Sequence, residues 1–212
     1  MFLPGRAECL IKINFMFHQK KKQSEYFILT QDESDQDFPV IAAYPDDLDV
    51  IDFITGKTVK RIRFPVLMDL SEDSTDFRPD LFLTVFPLFS NRMKEILDLS
   101  AIQHIEYFPV VFSNTRSLEM ETGYWIANIL SVIECLDVRE SLITVLSGRS
   151  RIAINGGFRI NEARIHQDKI FRLAEDRNLI IVNEEIKSTL ESCGLKGVEF
   201  INTKDYRPQV SQ

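Results

Sequence analysis

The chain has 212 residues, 44% of them hydrophobic and 27% charged, with a formal net charge of −7. This composition supports a packed core and excludes a disordered chain. It also lacks the basic face that phosphate contacts need, so direct nucleic-acid binding is not expected.

The N-terminal stretch MFLPGRAECLIKINFMFHQKKK carries its basic cluster, Lys20 to Lys22, after its apolar residues, the reverse of a secretory signal. Met16 offers a second start, so residues 1–15 read either as a start-codon extension or as an ordinary flexible terminus. The expected organisation is an extension over residues 1–23, one α+β domain over 24–203 and a tail over 204–212. A division of the domain into lobes near 24–115 and 116–203 is a further reading.

Strands are expected at YFILT (26–30), PVIAAY (39–44), IRFPVLM (62–68) and LFLTVF (81–86). Between and around them the charge is uneven. Residues 31–80 hold thirteen Asp or Glu and five Lys or Arg, a net of −8, while the rest of the chain is at +1. The acids come in the bursts QDESDQD, PDDLDVID and DLSEDSTDFRPD. Solvated loop surface is one reading. The other is an acidic face for a basic partner, made by Asp32, Glu33, Asp35, Asp37, Asp46, Asp47, Asp49, Asp52, Glu72, Asp73 and Asp76. DESDQD has some oxygen ligands for calcium but lacks the glycine and closing glutamate of an EF-hand loop.

SNRMKEILDLSAIQHIEY (90–107) then reads as a complete small unit of helix and strand, with Ser90 as the cap. Further strands follow at EYFPVVF (106–112) and YWIANIL (124–130), where Trp125 is read as core. The longest apolar run, 124–133, is about half of the roughly 20 residues needed to span a bilayer.

CLDVRES places Cys135, Asp137, Glu140 and Ser141 close together. A Cys–His catalytic arrangement would need His104 or His166 to converge there. The alternative is a buried thiol followed by a turn. No metal-ligand spacing links His18, His104 and His166, and no cofactor fingerprint is found, so no metal and no cofactor are expected. Cys9, Cys135 and Cys193 have no paired spacing and fit reduced thiols in a cytoplasmic protein.

RIAINGGFRI (151–160) contains Asn155-Gly156, a hairpin signal in which both turn residues need positive φ. KIFRLA (169–174) and LIIVN (179–183) form a second expected hairpin with a longer loop, after a turn in INEARIH. NEEIKSTLESCGLKGVEF (183–200) closes the series. Asn183 can cap its helix, Glu184 and Glu185 suit the first turn, and Gly194 can close it in the left-handed conformation. Gly197 lies in the turn that follows. This segment aligns without gaps on residues 90–107: Ser90 faces Asn183, Met93 faces Ile186, Leu97 faces Leu190. Ala101 stands where the stop glycine would be, and no glycine is expected to be needed there. One supersecondary unit used twice and a chance likeness are both open. The fold class is α+β, strand-rich and mostly antiparallel, with few short helices and two similar strand-helix-strand units as one reading.

The run KIFRLAEDRNLIIVNEEIKSTLESCGLKGVEF resembles the C-terminal signature of family eleven of the bacterial immunity proteins of polymorphic toxin systems. The matching pieces are Ile170–Leu173, Ile180–Leu190 and Gly194–Phe200. YWIANIL…ECLD…S, with Cys135, Asp137 and Ser141, resembles the middle of that family, and FSNRMKEIL…IEYFPV its first strand-helix-strand element. Asn183 stands where serine is the commoner cap. The likeness covers roughly residues 24–203. It implies a cytoplasmic protein that binds and neutralises a cognate toxin domain encoded beside it, and it supplies no catalytic residues. An enzyme centred on Cys135, Asp137 and Ser141, or a non-catalytic adaptor, remains as an alternative.

Overall fold

The computed structural model describes residues 25–208, apart from residues 33, 35–37, 47, 61–62, 73, 115–118 and 147–150. The expectations for residues 1–23, with Cys9, Met16 and His18, lie outside the described residues.

The first strands are β1 (Tyr26–Thr30), β2 (Ile41–Ala43), β3 (Val66–Leu70), β4 (Leu81–Leu83) and β5 (Pro87–Ser90). The long strands β6 (Ile105–Asn114) and β7 (Met120–Ile129) follow, then β8 (Val132–Ile133), β9 (Ile143–Leu146) and β10 (Arg151–Ile154). β11 (Ile170–Leu173), β12 (Asp176–Asn183) and β13 (Glu199–Asn202) complete the set. The α-helices are α1 (Val50–Ile54), α2 (Asn91–Leu99) and α3 (Glu184–Ser192). The class is therefore α+β and strand-rich. β3 with β6 and β8 with β11 pair in parallel, whereas β1 with β12, β2 with β3, β4 with β5, β5 with β7, β6 with β7, β9 with β10 and β11 with β12 pair antiparallel.

Two compact units share the chain. The first takes the described residues through Leu29, Ser131–Cys193 and the described residues from Phe200; the second takes Thr30–Leu130 and Gly194–Glu199. The antiparallel pair β6 and β7 runs through the region where halves near 24–115 and 116–203 would part, and both strands belong to the second unit.

The second unit is built on a six-stranded sheet of order β2-β3-β6-β7-β5-β4. Alternation along the strands sends Val66, Met68 and Leu70 to one face with Phe108, Val110 and Phe112. Phe53, Phe82, Phe86, Leu88, Tyr124 and Ile126 complete this aromatic cluster. The opposite face carries α2, which packs on β5 and β7 and buries Met93, Ile96 and Leu97. LFLTVF is not one strand: Thr84–Phe86 turns the chain, so β4 and β5 pair antiparallel.

The first unit has a five-stranded sheet, β13-β1-β12-β11-β8, and a separate two-stranded ribbon of β9 and β10. Its core gathers Ile28, Phe171, Leu173 and Ile181 with Cys135, Leu136, Ile154 and Phe158. The ribbon corrects the expected Asn155-Gly156 hairpin. β10 pairs back with β9, and FRI contributes only the bridge of Ile160 to Leu136. Asn155 instead donates through its backbone to the Leu142 carbonyl and through its side chain to Thr144. Gly156 is buried, and a Cβ there would come within 3.0 Å of the Leu142 side chain, so the site leaves little room for a larger residue. The hairpin of β11 and β12 has a shorter connection than expected, with Leu173 opposite Asp176.

The likeness of residues 90–107 and 183–200 extends to side-chain roles. Ser90 accepts from the Met93 N–H and Asn183 from the Ile186 N–H, each at the third helical residue. Both helices have nine residues. Met93, Ile96 and Leu97 are buried in one, and Ile186, Thr189 and Leu190 at the equivalent positions of the other. Lys94–Asp98 and Lys187–Glu191 are equivalent ion pairs. The sheets agree as well. α2 joins β5 to β6 with β7 between them, and α3 joins β12 to β13 with β1 between them; β4 and β11 flank the outer side. This is a split strand-helix-strand arrangement. Its middle strand follows the helix in one unit and comes first in the chain in the other. One architecture is thus used twice in permuted order.

The helix ends bring one correction. Gly194 has φ +61, as a left-handed stop requires, but Ala101 has φ 57, so its position makes the same demand. A left-handed L-residue costs roughly 1–2 kcal/mol, against about 0.5–1 kcal/mol for the extra unfolded-chain entropy of glycine. Ala101→Gly is therefore expected to stabilise the protein by about 0.5–1 kcal/mol, and Gly194→Ala to destabilise it by a similar amount. No neighbouring atom lies near a Cβ at residue 194, so backbone conformation alone sets that cost. Denaturation midpoints of the two variants should move in opposite directions; a fall for both would contradict the shared geometry.

Candidate functional site

The acidic segment of residues 31–80 covers the aromatic face of the second unit. Phe38, Ile41, Tyr44, Leu48, Val50 and Val59 pack against the cluster, and Phe53 enters it. The segment is held from below by these side chains, which leaves many of its carboxylates in solvent. Asp46, Asp49, Glu72 and Asp76 are exposed; Asp32 and Asp52 are half-buried. Glu33, Asp35, Asp37, Asp47 and Asp73 lie outside the described residues.

Several of these carboxylates have local structural work. Asp49 caps α1, its Oδ1 accepting from the Ile51 N–H at 2.9 Å. Asp32 accepts from the hydroxyl and N–H of Ser34 at 2.6 and 3.0 Å. Those bonds, the hydroxyl first, hold its carboxyl below the usual range. Asp80 belongs to the same stretch but is buried, bonding Ser90 and Lys196.

Large apolar side chains stand among the carboxylates. Val40 and Ile51 are exposed, as are Phe64 (61%) and Leu67 (52%). Phe64 stacks on Phe108 with 5.8 Å between ring centroids, which fixes the ring at the surface. A cleft of about 380 Å³ opens beside β3, lined by Pro45, Asp46, Leu48, Arg63, Pro65, Val66 and Leu67. A second, more polar cleft of about 550 Å³ lies in the same unit among Leu70, Asp76, Arg78, Phe112 and residues Glu119–Thr122. There Arg78 donates to both carboxylate oxygens of Glu121, at 2.6 and 2.7 Å. The exposed apolar residues have no signal in the sequence, because IRFPVLM reads as a buried strand.

The Cys135 neighbourhood is held by backbone bonds. Cys135 is fully buried, and burial, with Glu175 adding to it, pushes its thiol up to about 12, so it stays protonated at neutral pH. The Ser141 hydroxyl donates to the Asp137 carbonyl at 2.6 Å and accepts from the Arg159 N–H at 3.0 Å. Asp137 accepts from the Arg139 N–H, and Glu140 pairs with Arg159. His104 and His166 are exposed. Trp125, expected as core, is half-buried on the α2 side, where its indole N–H donates to Asn91 at 2.6 Å.

Cys193 was expected as a reduced thiol but is disulfide-bonded, whereas Cys135 is free. In the first unit Arg172 is 3% exposed and donates to the Arg177 carbonyl at 2.6 Å. Burial pushes its guanidinium down to about 10. Among the described residues no group of three or more His, Cys, Asp or Glu is placed to hold a metal ion. No helix among them is long and apolar enough to cross a membrane.

Comparison with family models gives a match to the immunity protein family Imm11 over residues 11–205, nearly the whole chain. Both strand-helix-strand elements and the acidic segment fall within the match. No curated protein matches the chain.

Proposed function

The chain belongs to the Imm11 immunity protein family, and from that membership we propose that it neutralises a bacterial toxin domain by binding it. The toxin is one delivered in competition between cells and encoded beside its immunity gene, and the encounter takes place in the cytoplasm. Protection requires only a stoichiometric complex, and no catalytic step is assigned to this chain. The reading rests on family membership. One observation supports a binding face on the second unit: exposed carboxylates and exposed large apolar side chains occur on the same acidic segment. Carboxylates orient and speed the approach of a basic partner, and a few buried apolar anchors then set how long it stays.

Asp46→Asn, Asp49→Asn and Asp52→Asn together test the electrostatic part. Asparagine caps helices about as well as aspartate, so α1 should keep its start. At low salt the triple variant is expected to bind the toxin domain encoded by the adjacent reading frame roughly 10-fold more slowly, with a flatter salt dependence. Dissociation should change little. Association that ignores both salt and the substitutions would place the binding face elsewhere.

A further inference from the structure

The cleft beside β3 carries the partner assignment one step further. Its walls are Pro45, Leu48, Pro65, Val66 and Leu67, and its two charged lining residues, Asp46 and Arg63, are of opposite sign. The cleft itself is thus close to neutral, while the helix that starts directly after its lining residue Leu48 carries Asp49 at its cap and Asp52 in its first turn. β3 pairs with β6 along its whole length but with β2 only at Asp69 and Leu70, so the cleft lies where β2 leaves β3 uncovered. On that uncovered stretch Leu67 is 52% exposed, and exposed Phe64 lies three residues before it, so two large apolar side chains stand open beside the cleft. The two prolines have fixed φ, so less conformational entropy is lost when the cleft is filled.

We propose that this cleft is the anchor pocket of the interface, and that it takes one large apolar side chain presented on a basic surface of the toxin domain. The proposal rests on the toxin-binding reading above. The neutral, apolar lining favours an aliphatic or aromatic side chain over a lysine or arginine head. The surrounding carboxylates require that the surface bearing it be basic. They also argue against the other occupants: a second copy of this chain would bring its own acidic face, and anionic lipid or nucleic acid would be repelled. The cleft volume, about 380 Å³, falls within the usual range of roughly 300–1,000 Å³ for small binding pockets.

The test uses the full chain and the toxin domain of the adjacent reading frame. Leu67→Gln keeps size and charge but makes the pocket wall polar. It is expected to raise the dissociation rate at least about 10-fold and to leave the association rate and its salt dependence unchanged. Val145→Gln, at an exposed residue on the ribbon of the first unit, should change neither rate. Hydrogen exchange on the unmodified chain gives a second measurement, with slower exchange at Leu48 and Leu67 expected in the complex. A Leu67→Gln dissociation rate within about twofold of the parent, or unchanged exchange at these amides, would overturn the pocket while leaving toxin binding in place. Failure of the unmodified chain to form any complex would overturn the binding reading, and the pocket with it.

Discussion

Asp80→Ala is expected to destabilise the protein by about 3 kcal/mol or more, since it removes two hydrogen bonds to a carboxylate at roughly 1.5–3 kcal/mol each. Asp80 is 8% exposed. Its Oδ1 accepts from the Ser90 hydroxyl at 2.6 Å, and its Oδ2 from the Lys196 N–H at 2.8 Å. Its own N–H donates to the Lys196 carbonyl, and its carbonyl accepts from the Ser90 N–H. Arg92 stands 3.7 Å from the carboxylate and donates to the Gly194 carbonyl. One side chain therefore orients the cap of α2 and stitches Gly194–Glu199 into the second unit. Gly197 completes the stitch: its φ is +66, and a Cβ there would lie 2.7 Å from that of Pro79. Alanine leaves the half-buried Ser90 hydroxyl and the Lys196 N–H without their carboxylate acceptor. Asp80→Asn should cost less, since its amide oxygen can take the Lys196 N–H while its NH₂ faces Ser90. Urea denaturation of the three proteins measures this; a loss below about 1 kcal/mol for the alanine variant would mean that water replaces the carboxylate.

The second large effect is expected at Phe53. Its ring is 1% exposed and lies edge-on to Phe86 and Phe108, with centroids 4.8 and 5.6 Å away. α1 has five residues and Phe53 is its one buried side chain, so with half-buried Val50 beside it this ring is the main hold of the helix on the sheet. Phe53→Ala is expected to cost about 3–5 kcal/mol, the range for emptying a buried aromatic site. Phe53→Leu should recover part of it. Because Asp49 and Asp52 ride on α1, toxin association should slow for the alanine variant even where it remains folded. Equal stability and equal association would show that the acidic segment is held by other residues.

α2 and α3 were legible because their ends carry chemistry: Ser90 and Asn183 as caps, Gly194 as a stop. Ala101 was misread because alanine carries no mark of positive φ; surrounding packing imposes it. Asn155-Gly156 carried a strong local hairpin signal, yet β10 pairs with the upstream β9, which had not been expected. α1 was missed because its one anchor, Phe53, only makes sense beside Phe86 and Phe108, which are distant in sequence. The carboxylates of the candidate face could be counted in the sequence. Their apolar companions could not, since the exposure of Phe64 and Leu67 depends on what the rest of the fold leaves uncovered.

The most direct test of the account is a titration of the adjacent toxin domain's activity with the intact protein. Neutralisation by complex formation predicts a linear fall in activity that ends at one equivalent, and recovery of an unmodified, active toxin domain after the complex is dissociated. Complete inactivation by a small fraction of an equivalent, or recovery of a covalently altered toxin, would show turnover and contradict a protein that works by binding alone.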